Sequence, residues 1–340
     1  MEKIPIWIDC DPGHDDAIAI LLLALHPSFK LVGISTVFGN SALSNTTRNA
    51  LKVLEVLGFK QDEIKVYPGE ERPLVKGVHF APDIHGKSGL GGVDTGEPNL
   101  VVSKDVTYTE AIRKAVLQYE NKICLLITGA CTNAYKLFKK YPELKSKVKL
   151  ISIMGGAFWN GNVTPFAEFN FYADPHSANG IVSDPELSGK ILLTPINFTH
   201  TVICTPEIRK KMYEELDPTK NSFIRQFFYA IIMFYAEAYR NSENMTEGPP
   251  VHDPLAAFIL MPVLHRAAGI SDEINFQSLK KRISVVVEGE REGQCILKDD
   301  VDEQNALKYG VEIGLRINNE VFWNYILKAL EVSDNRVIIG

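Results

Sequence analysis

"IPIWIDCDPGHDDAIAILLLALHP", residues 4–27, decides how this 340-residue chain is read. An apolar run of strand length ends on Asp9 and Asp11, and a Pro-Gly turn follows. Asp15 and Asp16 then open a second apolar run, of helical length. Four carboxylates within eight positions repel one another and are costly to desolvate. Helix capping could absorb one or two of them, with Asp15 the best placed. It does not account for Asp-x-Asp before the turn and Asp-Asp after it. A bound divalent cation does, because calcium takes several carboxylate oxygens.

Working outward, strand-like runs at 4–10, 29–37, 64–67, 123–128, 148–154 and 190–196 alternate with helical patterns at 15–25, 45–57, 108–119, 132–141 and 174–182. Such alternation predicts an α/β fold with a mostly parallel open sheet and helices on both faces. Farther on, helices are predicted at 206–216, 222–240 and 254–264, strands at 283–289 and 310–317, and a closing helix at 320–331. There is no internal repeat, low-complexity tract or long linker. The helical section therefore reads as a layer added to a single domain spanning 1–340.

Net charge is −6 with no block of like charge, which argues against nucleic acid or an anionic membrane as partner. No basic region followed by a long apolar stretch opens the chain, and no apolar run reaches ~18 residues. Cys10, Cys124, Cys131, Cys204 and Cys295 are scattered without zinc-type spacing. They read as reduced thiols of a cytoplasmic protein.

In open parallel sheets, ligands sit beyond the carboxyl ends of the strands. Polar residues collect at these predicted ends: Asn40 after the second strand, Thr128 and Asn133 after "LLIT", and Asn160, Asn162, Glu168 and Asn170 in a long loop after Gly155-Gly156. Any one Asn or Gly could be turn chemistry. Amides and carboxylates gathered on one edge suit a polyhydroxylated ligand such as a sugar. His252 and Asp253 precede Pro254, which can open a helix; alone they read as a satisfied histidine and an N-cap aspartate.

Together, "DCDPGHDDAIAI", "VFGN", "HGKSGLGG", "MGGAF", "AEFN" and "VHDP" resemble the nucleoside hydrolase family, the inosine/uridine-preferring N-ribohydrolases, from about residue 4 to about residue 330. Length and texture are most similar to the fungal uridine nucleosidases. The resemblance implies a Rossmann-like core, a homodimer or homotetramer, and calcium-dependent hydrolysis of the N-glycosidic bond of a ribonucleoside, with uridine or another pyrimidine nucleoside as substrate. It implies Asp11, Asp16 and Asp253 as side-chain calcium ligands, and Thr128 as a ligand through its carbonyl. Asp15, Asn40, Asn162, Glu168 and Asn170 match residues that hold ribose, Met154 one that lines the pocket, and His252 one near the departing base. Asp11 is the implied general base. The base itself falls among loops near His85 and the region 235–239. One departure is Gly129-Ala130-Cys131-Thr132-Asn133, where family members commonly read Gly-Pro-Leu-Thr-Asn.

Two other readings remain. Asp9-x-Asp11 after a strand also resembles haloacid-dehalogenase-type phosphotransferases, which use the first Asp as nucleophile and magnesium as metal. Here Pro12-Gly13-His14 follows where that chemistry wants a threonine-like residue. A calcium-dependent nucleoside binder without catalysis is the other, although the chain keeps Asp11 and every implied ligand.

Overall fold

Strand alternation in β1 (Ile4–Cys10) sends Ile4, Ile6, Ile8 and Cys10 into one apolar layer and Trp7 into the other, so both faces of the sheet are covered. The computed structural model describes residues 2–94, 96–265, 270–298 and 308–337. Further strands are β2 (Phe29–Thr36), β3 (Val66–Pro68), β4 (Cys124–Ile127), β5 (Leu150–Met154), β6 (Ile191–Thr194), β7 (Gln277–Lys281), β8 (Ile283–Val285), β9 (Cys295–Leu297) and β10 (Val311–Arg316). Eight of them form one sheet in the order β3-β2-β1-β4-β5-β6-β10-β7, parallel except for β7 against β10. β8 and β9 form a separate antiparallel ribbon.

The chain winds outward from β1 through β2 to β3, then returns to the other side of β1 and winds through β4, β5 and β6. Connections on either side of β1 and β4 therefore diverge, leaving a crevice beyond their carboxyl ends. Asp9 pairs with Ile127 across this junction, and the Thr128 amide donates to the Asp9 carbonyl at 2.9 Å.

Helix α1 (His14–Leu25) is buried at every residue but Ala24. Its sequence is apolar almost all round because it lies inside the molecule, packed against the helices Asp253–Phe258 and Asn319–Val337. Helix α2 (Leu43–Val56) and the long helix Phe223–Glu243 complete that layer, and the helices Tyr108–Gln118, Thr132–Lys140 and Pro175–Val182 cover the opposite face. The predicted extra helical layer is thus what encloses α1.

Several boundaries differ from expectation. The helix expected over 254–264 is two, Asp253–Phe258 and Leu260–Leu264. Pro262 has no N–H to continue the i→i−4 ladder there. The strand expected over 283–289 stops at Val285 and pairs with β9 outside the main sheet. Strand β7 is unforeseen, and its side chains alternate between exposed and half-buried on the sheet edge. The helix expected over 206–216 ends at Met212. All five cysteines are free and buried. Among the described residues, no helix is long and apolar enough to cross a membrane.

Candidate active site

The four opening carboxylates part company at the end of β1. Asp9 lies on the face of Trp7, where it accepts hydrogen bonds from Ser35 Oγ at 2.5 Å and Asn133 Nδ2 at 2.7 Å. Trp7 Nε1 donates to the same Ser35 hydroxyl at 3.0 Å. Asp9 does not line the cavity described below. Asp11 follows the strand, and the Pro12-Gly13 turn re-aims it: Oδ2 accepts from the Asn40 amide at 2.7 Å, while buried Oδ1 has no hydrogen-bond partner. The glycine of "VFGN" is required here, since a Cβ on Gly39 would stand 1.9 Å from Asp11 Oδ2.

Asp16, not Asp15, is the capping residue. It accepts from the Gly13 amide at 2.9 Å, from Asn40 Nδ2 at 3.2 Å and from Thr128 Oγ1 at 2.8 Å. Asp15 accepts from the His252 amide at 3.3 Å. His252 occupies the N-cap position of the helix Asp253–Phe258, so Asp253 is its first residue and is not the cap. This leaves the Asp253 carboxylate free to join Asp15 and Asp16; one oxygen from each lies within 4.8 Å of the others, all buried.

Burial pushes the Asp11 and Asp253 carboxyls well above the usual range, and the charges of Asp16 and Asp15 respectively add to this. Asp15 is raised to about 7, by burial first and Asp16 second. Four crowded acids that resist ionising together, one with an unpartnered buried oxygen, fit a hard divalent cation that prefers oxygen ligands. Asp15, Asp16 and Asp253 bring their oxygens together for such a cation, with the Asp11 charge beside Asp16.

A polar wall faces the acids. Glu168 caps the helix Phe169–Ala173, accepting from the amides of Asn170 at 2.7 Å, Gly156 at 2.7 Å and Phe171 at 3.1 Å. Burial nevertheless raises its carboxyl to about 7. Asn170 Nδ2 donates to the carbonyls of Thr128 at 2.8 Å and Met154 at 3.1 Å. Asn162 is more exposed and accepts from the Phe169 amide at 3.0 Å.

At the other end His252 is held on both ring nitrogens, Nδ1 lying 2.6 Å from Thr199 Oγ1 and Nε2 2.7 Å from the Tyr239 hydroxyl. Burial, with His200 second, keeps its pKa well below the ordinary value. His85 places Nδ1 3.1 Å from Nδ1 of His14, whose Nε2 lies 3.0 Å from the Gly91 carbonyl. The motif "HGKSGLGG" is thereby tied to the start of α1.

These groups enclose a cavity of about 330 Å³. Asp15, Asn40, Thr128, Met154, Asn162, Glu168, Asn170, His252 and Asp253 all line it, as do His85, Tyr235 and Tyr239. Asp11 and Asp16 lie beneath this lining, fully buried. Sequence reasoning missed His79, Phe80, Asp83, Ser242 and Glu243, which also line it. A helical row at Tyr235, Tyr239 and Glu243 was the available signal for the last of these.

Residues 6–324 match the family model described as inosine-uridine preferring nucleoside hydrolase. The chain is 41% identical to a uridine nucleosidase of Saccharomyces cerevisiae over 100% of its own length and 99% of that protein. It is 30% identical to a pyrimidine-specific ribonucleoside hydrolase of Escherichia coli O1:K1, covering 96% of each. Among solved structures, a purine-preferring ribonucleoside hydrolase from Gardnerella vaginalis superposes with a TM-score of 0.83 at 26% identity, covering 98% of this chain and 99% of that one. Sequence, fold and the acid-floored cavity agree, and the chain belongs to the inosine-uridine preferring nucleoside hydrolases, a family of N-glycosyl hydrolases.

Proposed function

We propose that this protein is a calcium-dependent ribonucleoside hydrolase acting on uridine or a related pyrimidine nucleoside, as one catalytic domain, cytoplasmic and homo-oligomeric. One observation carries the reading: a buried acid cluster at the sheet's switch point forms the floor of a cavity whose opposite wall is Glu168, Asn170 and Asn162. When bound, a calcium ion there supplies a hard positive centre that orders hydroxyls and water.

The chain's own residues do the rest. Asp11, held by the Asn40 amide through one oxygen and free at the other, takes the proton of the attacking water. Asp15, Asn40, Asn162, Glu168 and Asn170 hold the ribose hydroxyls, and Met154 closes the pocket beside them. Backbone amides fix Glu168 in place, so the sugar is gripped by a rigid group as it flattens towards an oxocarbenium-like transition state. His252 and Tyr239 act as a hydrogen-bonded pair beside the leaving base. No step needs a covalent intermediate, so inversion at the anomeric carbon follows.

The phosphotransferase alternative is disfavoured because Asp9, its required nucleophile, is bound to Ser35 and Asn133 and does not line the cavity. Uridine incubated with calcium-loaded and with exhaustively chelated protein tests the proposal. Free ribose should appear only with calcium. Full activity after chelation overturns the metal requirement, and binding without cleavage supports a silent binder.

A further inference from the structure

The cavity wall beyond His252 is built by the last turns of the helix Phe223–Glu243. Residues four apart share a helix face, so Tyr235, Tyr239 and Glu243 form one row, and all three line the cavity. Each step of four advances ~6 Å along the axis. The row therefore runs from Tyr235, near enough to Asp15 to feel its charge, through Tyr239 on His252, to Glu243. If the glycosidic bond lies near His252, as proposed above, Glu243 stands about one turn past it, where the far edge of a base falls.

Glu243 is also unlike the other acids of the wall. Its side chain is 27% exposed, and His200 Nε2 lies 3.8 Å from Glu243 Oε2, too far for a hydrogen bond. That buried Nε2 has no hydrogen-bond partner among the described residues. Burial keeps His200 neutral, with a pKa of about 4, so it does not cancel the carboxylate. Asp83 also lines the cavity, from the single-turn helix Pro82–His85, and is the competing acceptor.

We propose that Glu243 is a specificity residue that reads the hydrogen-bonding edge of the nucleobase, its carboxylate accepting the ring N–H of a uracil-type imide, with His200 behind it as a positioning residue. An ionised carboxylate can only accept, and an imide offers one N–H between two carbonyls. A base methylated on that nitrogen has nothing to give. Fully buried sites reject an analogue lacking the bonded group by up to ~10⁴–10⁵. The partial exposure of Glu243 lowers the expected discrimination to about 10–100-fold.

The inference rests on the hydrolase reading, and the test separates the two. kcat/KM is measured for uridine and 3-methyluridine with the wild-type holoenzyme, Glu243→Ala, Glu243→Gln, His200→Ala and Asp83→Ala. Inhibition by free ribose is followed alongside to report the sugar site. The wild type should prefer uridine by about 10–100-fold. Glu243→Ala should bring that ratio close to one through loss on uridine, and Glu243→Gln, which keeps an acceptor oxygen, should restore much of it. His200→Ala should lower the ratio by a smaller factor through KM. A ratio unmoved by Glu243→Ala, or one that collapses in Asp83→Ala instead, overturns the assignment while leaving the hydrolase. A wild type that cleaves no uridine overturns both.

Discussion

Asp9 and Asp11 are two residues apart, and both are buried, yet their surroundings differ in kind. Asp9 sits among neutral donors: Ser35 and Asn133 bind one oxygen, and Asn133 also donates to the Thr36 carbonyl and accepts from the Glu70 amide. That network ties β1, β2 and the helix Thr132–Lys140 into one rigid corner. Asp11 instead faces other acids, while each of the two aspartates keeps one buried oxygen without a hydrogen bond. The first acid is anchored by neutral donors, and the second is crowded by like charges. Like charges crowded together in a buried site, not an unpaired oxygen alone, mark where a ligand enters.

The strongest way to break this contrast is Asp11→Asn. The change keeps shape but removes a charge, a proposed metal contact and the proposed base. Turnover of uridine should fall by ~10²–10⁴ or more. The metal-free variant should melt higher than metal-free wild type, because one repelling carboxylate is gone. A near wild-type rate with calcium bound would sink the role of Asp11.

Next in size is the polar wall. Asn170→Ala and Glu168→Gln should retain calcium while losing most of kcat/KM. Deoxyuridine should already be a poor substrate of the wild type, by orders of magnitude, because a site built to bond a hydroxyl rejects its absence. Equal rates on uridine and deoxyuridine would contradict the assignment of this wall to the sugar.

Asp9→Ala should act on stability instead. It removes one acceptor from the Ser35 hydroxyl and one from the Asn133 amide in a dry corner, at ~1–3 kcal/mol for each donor hydrogen left unsatisfied. The melting temperature should drop while calcium affinity per folded molecule stays close to wild type. A large loss of calcium affinity with little loss of stability would place Asp9 in the metal site after all.

Much of the fold and of the site was legible in the sequence, and the rest had physical reasons not to be. The strand–helix alternation, the crowding of acids at the first strand end and the polar residues at later ends survive in the fold, because apolar periodicity and burial enforce them. The split between Asp9 and Asp11 was hidden. Period-two alternation places residues 9 and 11 on one face, and only the turn at Pro12-Gly13 re-aims the second. β7 escaped notice because "QSLKK" on a sheet edge has no buried face to impose a pattern. The Tyr239–His252 bond joins a helix to a distant loop, and no local signal encodes it.

The smallest expected effect concerns pH and the metal-free protein. Burial raises Asp9, Asp15 and Glu168 to about 7 in the folded state, above their values in an unfolded chain. A raised acid binds its proton more tightly when folded, so the stability it contributes is complete below about pH 4 and is lost as pH rises through 7. His14 and His200 are shifted the other way, to about 4, by burial. Their contribution is present above about 6.5 and is lost as pH falls towards 4. Between pH 8 and 6.5 the carboxylates dominate, so metal-free protein should gain a few degrees of melting temperature as pH is lowered across that window. Below 6.5 the two groups oppose each other, and the curve should flatten. Calcium holds the cluster's carboxylates ionised, so adding it should remove the share due to Asp11, Asp15, Asp16 and Asp253 and leave that due to Asp9 and Glu168. Thermal melts at half-unit intervals, with and without calcium, measure both curves. Identical slopes in the two would mean that the acid cluster does not set the pH response, and that Asp9 and Glu168 carry it.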